Sequence, residues 1–281
     1  TITTGSLEVK NGARITASTF AKGNAGSVDI SATETVVLDR GDSEFLTGVF
    51  SQVEKGAEGN AGGVTIATGS LEVKNRARIT ASTWAKGNAG TVDINAAETV
   101  VFDGGRNSEC CTGGVSSTGV FSIVGTGAEG NAGGVTITTG SLEVKNGARI
   151  TASTFAKGNA GTVNINATET VVLDVGDSGC CTGILNNVSS GAEGDAGGIT
   201  ITTSSLEVKN GARITASTSA QGDAGTVNIN ATETVVLDGG DSVCLVPAVG
   251  SQVETGAEGN AGGVTITTGS LEVKNGARIT A

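Results

Sequence analysis

The phrase Leu-Glu-Val-Lys-Asn begins at Leu7, Leu71, Leu142, Leu206 and Leu271, in steps of 64, 71, 64 and 65 residues. Self-similarity of this kind confines a chain to architectures that stack one unit on the next, because a single unit cannot bury its own apolar face. A second phrase, Gly-Asn/Asp-Ala-Gly, subdivides the period. Its polar residue is Asn24, Asn60, Asn88, Asn131, Asn159, Asp195, Asp223 and Asn260 in turn. The spacing alternates between a compact unit of 28 residues, coil A, and a longer unit of about 36, coil B.

Each unit holds three short runs of alternating apolar and polar residues. In one A coil they are Val64-Thr65-Ile66, Leu71-Glu72-Val73 and Ala77 to Ala81. In the following B coil they are Val92-Asp93-Ile94, Val100-Val101-Phe102 and Val120 to Val124. Period-2 alternation bounded by Gly and Asn specifies strands. The pattern predicts an all-β fold, a right-handed parallel β-helix (solenoid) with three short strands per coil. About nine coils, alternating 28 and about 36 residues, would follow in the order A-B-A-B-A-B-A-B-A. At a strand spacing of about 4.8 Å the stack is roughly 43 Å long. Residues 1–281 read as one β-helix repeat region. Both ends fall inside repeat units, as expected of a piece of a longer protein.

Stacking A on B sets charges side by side and so tests the alignment. The residue after the second run is Lys10, Asp39, Lys74, Asp103, Lys145, Asp174, Lys209, Asp238 and Lys274. Two residues before the corner Asn come Lys22, Glu58, Lys86, Glu129, Lys157, Glu193, Gln221 and Glu258. The sign alternates at every step, with Gln221 the neutral exception. Opposite charges on adjacent strands attract by about 0.2–1 kcal/mol per pair, and like charges repel. A third column sets Arg14, Arg78, Arg149 and Arg213 beside Phe50, Phe121, Leu185 and Gly250, which makes the first two pairs candidate cation–π contacts.

Composition narrows the function classes. Aromatics are 2% of the chain, so the core must be built from Val, Ile, Leu and Ala. The 46 glycines follow no Gly-X-Y period, which excludes collagen. A net charge of −11 disfavours nucleic acid and anionic membrane surfaces as partners. No stretch approaches the roughly 18 apolar residues of a spanning helix, so membrane insertion is not expected.

Three phrases carry a family resemblance: Gly23 to Ile30, Gly140 to Ile150 and Gly48 to Glu54. They resemble the tandem repeats of cyanobacterial filamentous-haemagglutinin-like exoproteins, and the likeness covers essentially the whole chain. It implies a right-handed parallel β-helix, export by two-partner secretion and adhesion at the cell surface. The Asn-Pro-Asn-Leu motif of that family's secretion domain is not in this sequence, whose one proline is Pro247. Export is therefore expected from the likeness alone.

Several residues are candidate sites. The corner residues from Asn24 to Asn260 are expected to form a structural side-chain ladder, with glycines supplying positive φ. Phe20, Trp84 and Phe155 occupy one corner of successive A coils and are candidate glycan contacts; the bland alternative is that they cap the core. Cys110, Cys111, Cys180, Cys181 and Cys244 all fall in the variable B loop. They are candidates for disulfides within or between chains, or free thiols. Metal is disfavoured, because His is absent and vicinal Cys lacks zinc-site spacing. The pairs Asp39/Asp42, Asp174/Asp177 and Asp238/Asp241 could hold Ca²⁺ weakly, though solvated turns are the expected reading. No other cofactor is expected. Arg40-Gly41-Asp42 spells an integrin-binding tripeptide, but so short a match arises easily by chance. The Thr-x-Thr rows of A coils, such as Thr136 and Thr138, are interrupted by Asp, Ser and Asn in B coils, against an ice-binding lattice.

The expected function is a structural or adhesive shaft, extracellular or at the cell surface, without catalysis. Glycans or other cell-surface molecules are the expected partners. A carbohydrate-binding β-helix and a fibre assembled end to end are the alternatives. A polysaccharide-degrading enzyme is disfavoured, because nearly every acidic residue recurs in each repeat and none is singled out.

Overall fold

The protein's structure, a computed structural model, describes residues 1–105, 117–176, 182–240 and 248–281. Among them the fold is all-β, and every strand pair is parallel. It is a parallel β-helix, in which each strand pairs with its counterpart one coil before and one coil after.

The register stacks like on like. On the first face Val28 pairs with Val64, Val64 with Val92, Val92 with Val135, and Val135 with Val163. On the second face Val36 pairs with Leu71, Leu71 with Val100, and Val100 with Leu142. On the third, Ile79 lies between Val49 and Val120. Alternate residues therefore enter one continuous apolar core running from Val9 to Val249. Val64–Thr68 shows the pattern locally: Val64, Ile66 and Thr68 are buried, while Thr65 and Ala67 are exposed.

The first two faces do not stay separate throughout. From residue 199 onward the two runs merge into single strands, Ile199–Lys209, Val227–Asp238 and Val264–Lys274. The three short strands expected per coil become two there. The corner between these faces is a wide bend rather than a tight turn. The Thr203 hydroxyl donates to the carbonyls of Glu169 and Ser205, each at 3.1 Å, and extended backbone continues through it with a register shift between Thr203 and Ser205.

Both charge columns occupy the register expected. Lys10 pairs with Asp39, Asp39 with Lys74, and Lys74 with Asp103. Lys22, Glu58, Lys86, Glu129, Lys157, Glu193, Gln221 and Glu258 bridge in that order. The arginine column needs a correction. Arg14 pairs with Gly48 and Arg78 with Gly119, while Phe50 and Phe121 lie two residues further along their strands, opposite Thr16 and Thr80. The guanidinium groups reach the rings diagonally, 5.8 Å from the Phe50 centroid and 6.0 Å from the Phe121 centroid. At Gly48 the glycine opposite arginine is a spatial requirement, because a Cβ there would collide with the Arg78 carbonyl.

The corner glycines divide in the same way. The first glycine of Gly-Asn-Ala-Gly has positive φ, +137° at Gly23 and +130° at Gly158. The last does not. Its glycine is required because the backbone of the preceding coil passes too close for any side chain, as Gly133 does under Gly161.

Candidate functional site

The corner ladder joins side chain to main chain. The Asn24 Oδ1 accepts the backbone N–H of Asn60 at 2.8 Å, and Asn60 Oδ1 accepts that of Asn88 at 2.9 Å. The chain of bonds continues through Asn131, Asn159, Asp195 and Asp223 to Asn260. Only an acceptor oxygen is needed, which explains why Asp replaces Asn at positions 195 and 223. The expected stack of amide on amide is thus a relay from each side chain to the next coil's backbone.

A second ladder was not anticipated. Asn11, Asn75, Asn146, Asn210 and Asn275 adopt left-handed backbone, with φ between 51° and 56°. From there the Asn75 amide donates to Asp39 Oδ1, Asn146 to Asp103, Asn210 to Asp174 and Asn275 to Asp238, each at 2.8 Å. The same Oδ1 accepts the N–H two residues on, Gly41 in the case of Asp39. The Asn275 amide, then the Gly240 N–H, hold the Asp238 carboxyl below its ordinary value. The lysines of the column turn instead to their own strand, Lys74 to Glu72 at 2.9 Å and Lys145 to Glu143 at 2.8 Å. Lys145 approaches Asp103 only to 3.9 Å. Asp39, Asp174 and Asp238 are therefore built into the corner. Their presumed calcium partners Asp177 and Asp241 lie outside the described residues, as do all five cysteines, Cys110, Cys111, Cys180, Cys181 and Cys244.

Among the described residues, the third face carries a recess that departs from a plain rod. Its outward side is recessed into a groove of about 660 Å³ across the first four coils. Phe50 and Phe121 alternate with core residues Val49 and Val120, so they face away from the core, yet they are buried. They form the apolar floor. Hydroxyl pairs alternate with them along the stack, Thr16 with Ser18 at 3.0 Å and Thr80 with Ser82 at 2.7 Å. Arg14, Arg40, Arg76 and Arg78 line one part of the wall, with Glu44 and Glu54 also present.

The candidate aromatic row is divided by this groove. Phe20 and Trp84 both line it, whereas Phe155 lines a separate recess of about 200 Å³. Phe20 is 77% exposed. The Trp84 ring lies so close over Gly125 that a Cβ there would collide with it, so one ring face is covered by the next coil. Neither ring belongs to the core cluster. The arginines were missed as a group because two of them, Arg40 and Arg76, come from corners rather than strands.

Arg14, Arg40 and Arg78 are each oriented through Nε. They donate to the carbonyls of Leu46 at 3.0 Å, Phe45 at 3.2 Å and Ser117 at 3.2 Å. Burial, then the charges of Arg76 and Arg40, push Arg78 down to about 10. The Arg40-Gly41-Asp42 tripeptide lies in a tight turn where the Gly41 N–H is bonded to Asp39, and it lines a separate recess of about 440 Å³; of the three only Arg40 also lines the groove.

Comparison of the chain with protein-family models, with curated proteins and with solved structures finds no match.

Proposed function

We propose that this chain is a stretch of a stiff, non-catalytic shaft that acts in adhesion outside the cell, in the manner of filamentous-haemagglutinin-like exoproteins. The observation that carries the reading is the unbroken core from Val9 to Val249, in which every coil is held by its two neighbours. Such a stack resists bending and displays its surface side chains at a fixed spacing. Many of the described carboxylates have structural employment. Those after the second run brace the corner through Asn and Gly, and those near the third corner face Lys. Hydrolysis of a glycan needs a carboxylate pair placed across a cleft for acid and base roles; the ladder carboxylates are not so placed, and the two that line the groove, Glu44 and Glu54, come from beyond opposite ends of the strand Gly48–Val53. Glycans suit the third-face groove, which sets aromatic rings beside hydroxyls and charged groups.

Retention under flow tests the reading. Beads coated with the protein should stay on polysaccharide-coated or cell-covered surfaces at shear that removes uncoated beads, with no sugar released into solution. Retention no better than that of uncoated beads contradicts adhesion, and steady release of reducing ends contradicts the absence of catalysis.

A further inference from the structure

We infer that the corner at Asn210 and Gly211 is a self-modifying site: the Gly211 nitrogen displaces the Asn210 side-chain amide as ammonia, and the shaft loosens between its third B coil and fourth A coil.

The reaction follows from the residue pair. Asn before Gly sets a side-chain carbonyl carbon one ring closure from a backbone nitrogen, and glycine has no side chain to obstruct the approach. The glycine nitrogen gives its proton to solvent base and bonds to the Asn Cγ. The Cγ–Nδ2 bond breaks, the amide nitrogen takes up a proton and leaves as ammonia, and a cyclic imide remains. Water then opens the imide to aspartate or to isoaspartate, according to which carbonyl–nitrogen bond of the ring breaks. The only co-reactant is water.

The pair occurs at Asn11–Gly12, Asn146–Gly147, Asn210–Gly211 and Asn275–Gly276. All four asparagines share left-handed backbone, with φ between 51° and 56°, so backbone shape does not rank them. Hydrogen bonding of the attacking nitrogen does. The Gly12 N–H donates to Thr47 Oγ1 and the Gly147 N–H to Thr182 Oγ1, both at 2.7 Å. At the equivalent place in the second A coil, the Arg76 N–H donates to Thr118 Oγ1 at 2.6 Å. The asparagines are anchored as well. The N–H groups of Asn11, Asn75 and Asn146 donate to the carbonyls of Asp39, Asp103 and Asp174 at 3.0, 3.0 and 3.1 Å. Attack requires the nitrogen to swing toward the side chain, and each anchoring bond must break before it can.

The fourth A coil lacks both anchors. Among the described residues, neither the Asn210 N–H nor the Gly211 N–H has a hydrogen-bond partner. The sequence supplies a cause. Thr47, Thr118 and Thr182 each stand one residue before a glycine that pairs with an arginine. Counting back from Val249, which pairs with Ile214, the same place in the last B coil falls to Pro247, and proline has no hydroxyl. Pro247 itself lies outside the described residues.

The position makes the change matter. The Asn210 amide donates to Asp174 Oδ1 at 2.8 Å, and the same oxygen accepts the Gly176 N–H at 2.8 Å. Conversion replaces that donor with a second carboxylate, so like charges meet where an amide held a carboxylate. Isoaspartate also lengthens the main chain by one carbon, directly after a strand whose register is fixed on both sides.

The test is peptide mapping by mass spectrometry of the whole chain during incubation in mildly alkaline buffer. Acid forms at Asn210 should accumulate about fivefold faster than at Asn146, the factor for one hydrogen bond of about 1 kcal/mol. Asn275 should keep pace with Asn210, because among the described residues the N–H groups of Asn275 and Gly276 are also unbonded. Asn75, followed by Arg76, should convert slowest. An Asn210 rate within about twofold of that at Asn146, less than one hydrogen bond contributes, overturns the site. Thr47→Val removes the anchor of Gly12 and should speed conversion of Asn11 about fivefold. An unchanged Asn11 rate overturns the hydroxyl anchor as the cause. Asn210→Asp installs one product directly. It should melt below the parent at neutral pH and regain the difference in acid, where a carboxyl of the pair takes up a proton. Melting with the parent at neutral pH overturns the loosening of the corner.

Discussion

Replacing Phe102 with Ala should lower the unfolding free energy by about 3–5 kcal/mol. Phe102 is the bulkiest of the fully buried side chains, on the second face of a B coil. The equivalent residues of the other B coils are Leu38, Leu173 and Leu237, and its partners above and below are Val73 and Val144. Those partners are fixed by backbone ladders on both sides and cannot collapse into the space. The loss therefore combines transfer of the ring to water with a residual cavity. Phe102→Leu, which installs the residue of the neighbouring coils, should cost less than about 1.5 kcal/mol. Denaturant titration of both variants measures the difference. A Phe102→Ala cost near that of Phe102→Leu would mean that this coil is not packed between its neighbours as described.

Adding one methyl group at Gly161 should be nearly as damaging, at about 3 kcal/mol or more. Gly161 closes a corner directly over Gly133, and a Cβ would collide with the Gly133 carbonyl. Both groups are backbone, so neither can rotate away, and relief requires the two coils to part. Gly5→Ala is the control. It has open space around it and no positive φ, so it should change stability by less than about 0.5 kcal/mol. Thermal melts of the pair separate close approach from generic glycine effects. Equal melting temperatures would contradict the tight stacking of the corners.

The stack could be read from the sequence because its strongest signals repeat at each coil. The alternation of Lys10, Asp39, Lys74 and Asp103 fixes which coil lies on which, and it holds in the structure. The details that escaped lie where local geometry overrides column order. Lys74 has Glu72 on the same side of its own strand, closer than any Asp of the next coil, so the Lys–Asp column is mostly a Lys–Glu pairing. The displaced Asp then takes Asn75, whose position one residue past each lysine was a usable signal. The arginine row was misplaced by a constant two residues: glycines, which have no side chain to mark the column, stand opposite Arg14 and Arg78, and the rings come two positions later. The groove was only half legible: Phe20 and Trp84 stood out by spacing, but Arg40 and Arg76 join them only when separate corners converge.

Length against chain growth tests the central claim, a shaft built by coil-on-coil stacking, most directly. Four further 64-residue units, copied from Leu7 to Ser70, would be inserted in frame and the two proteins compared by small-angle scattering. Each unit adds two coils, so the rod should lengthen by about 38 Å with its cross-section unchanged. Growth in cross-section with little gain in length would contradict the stack, and with it the shaft.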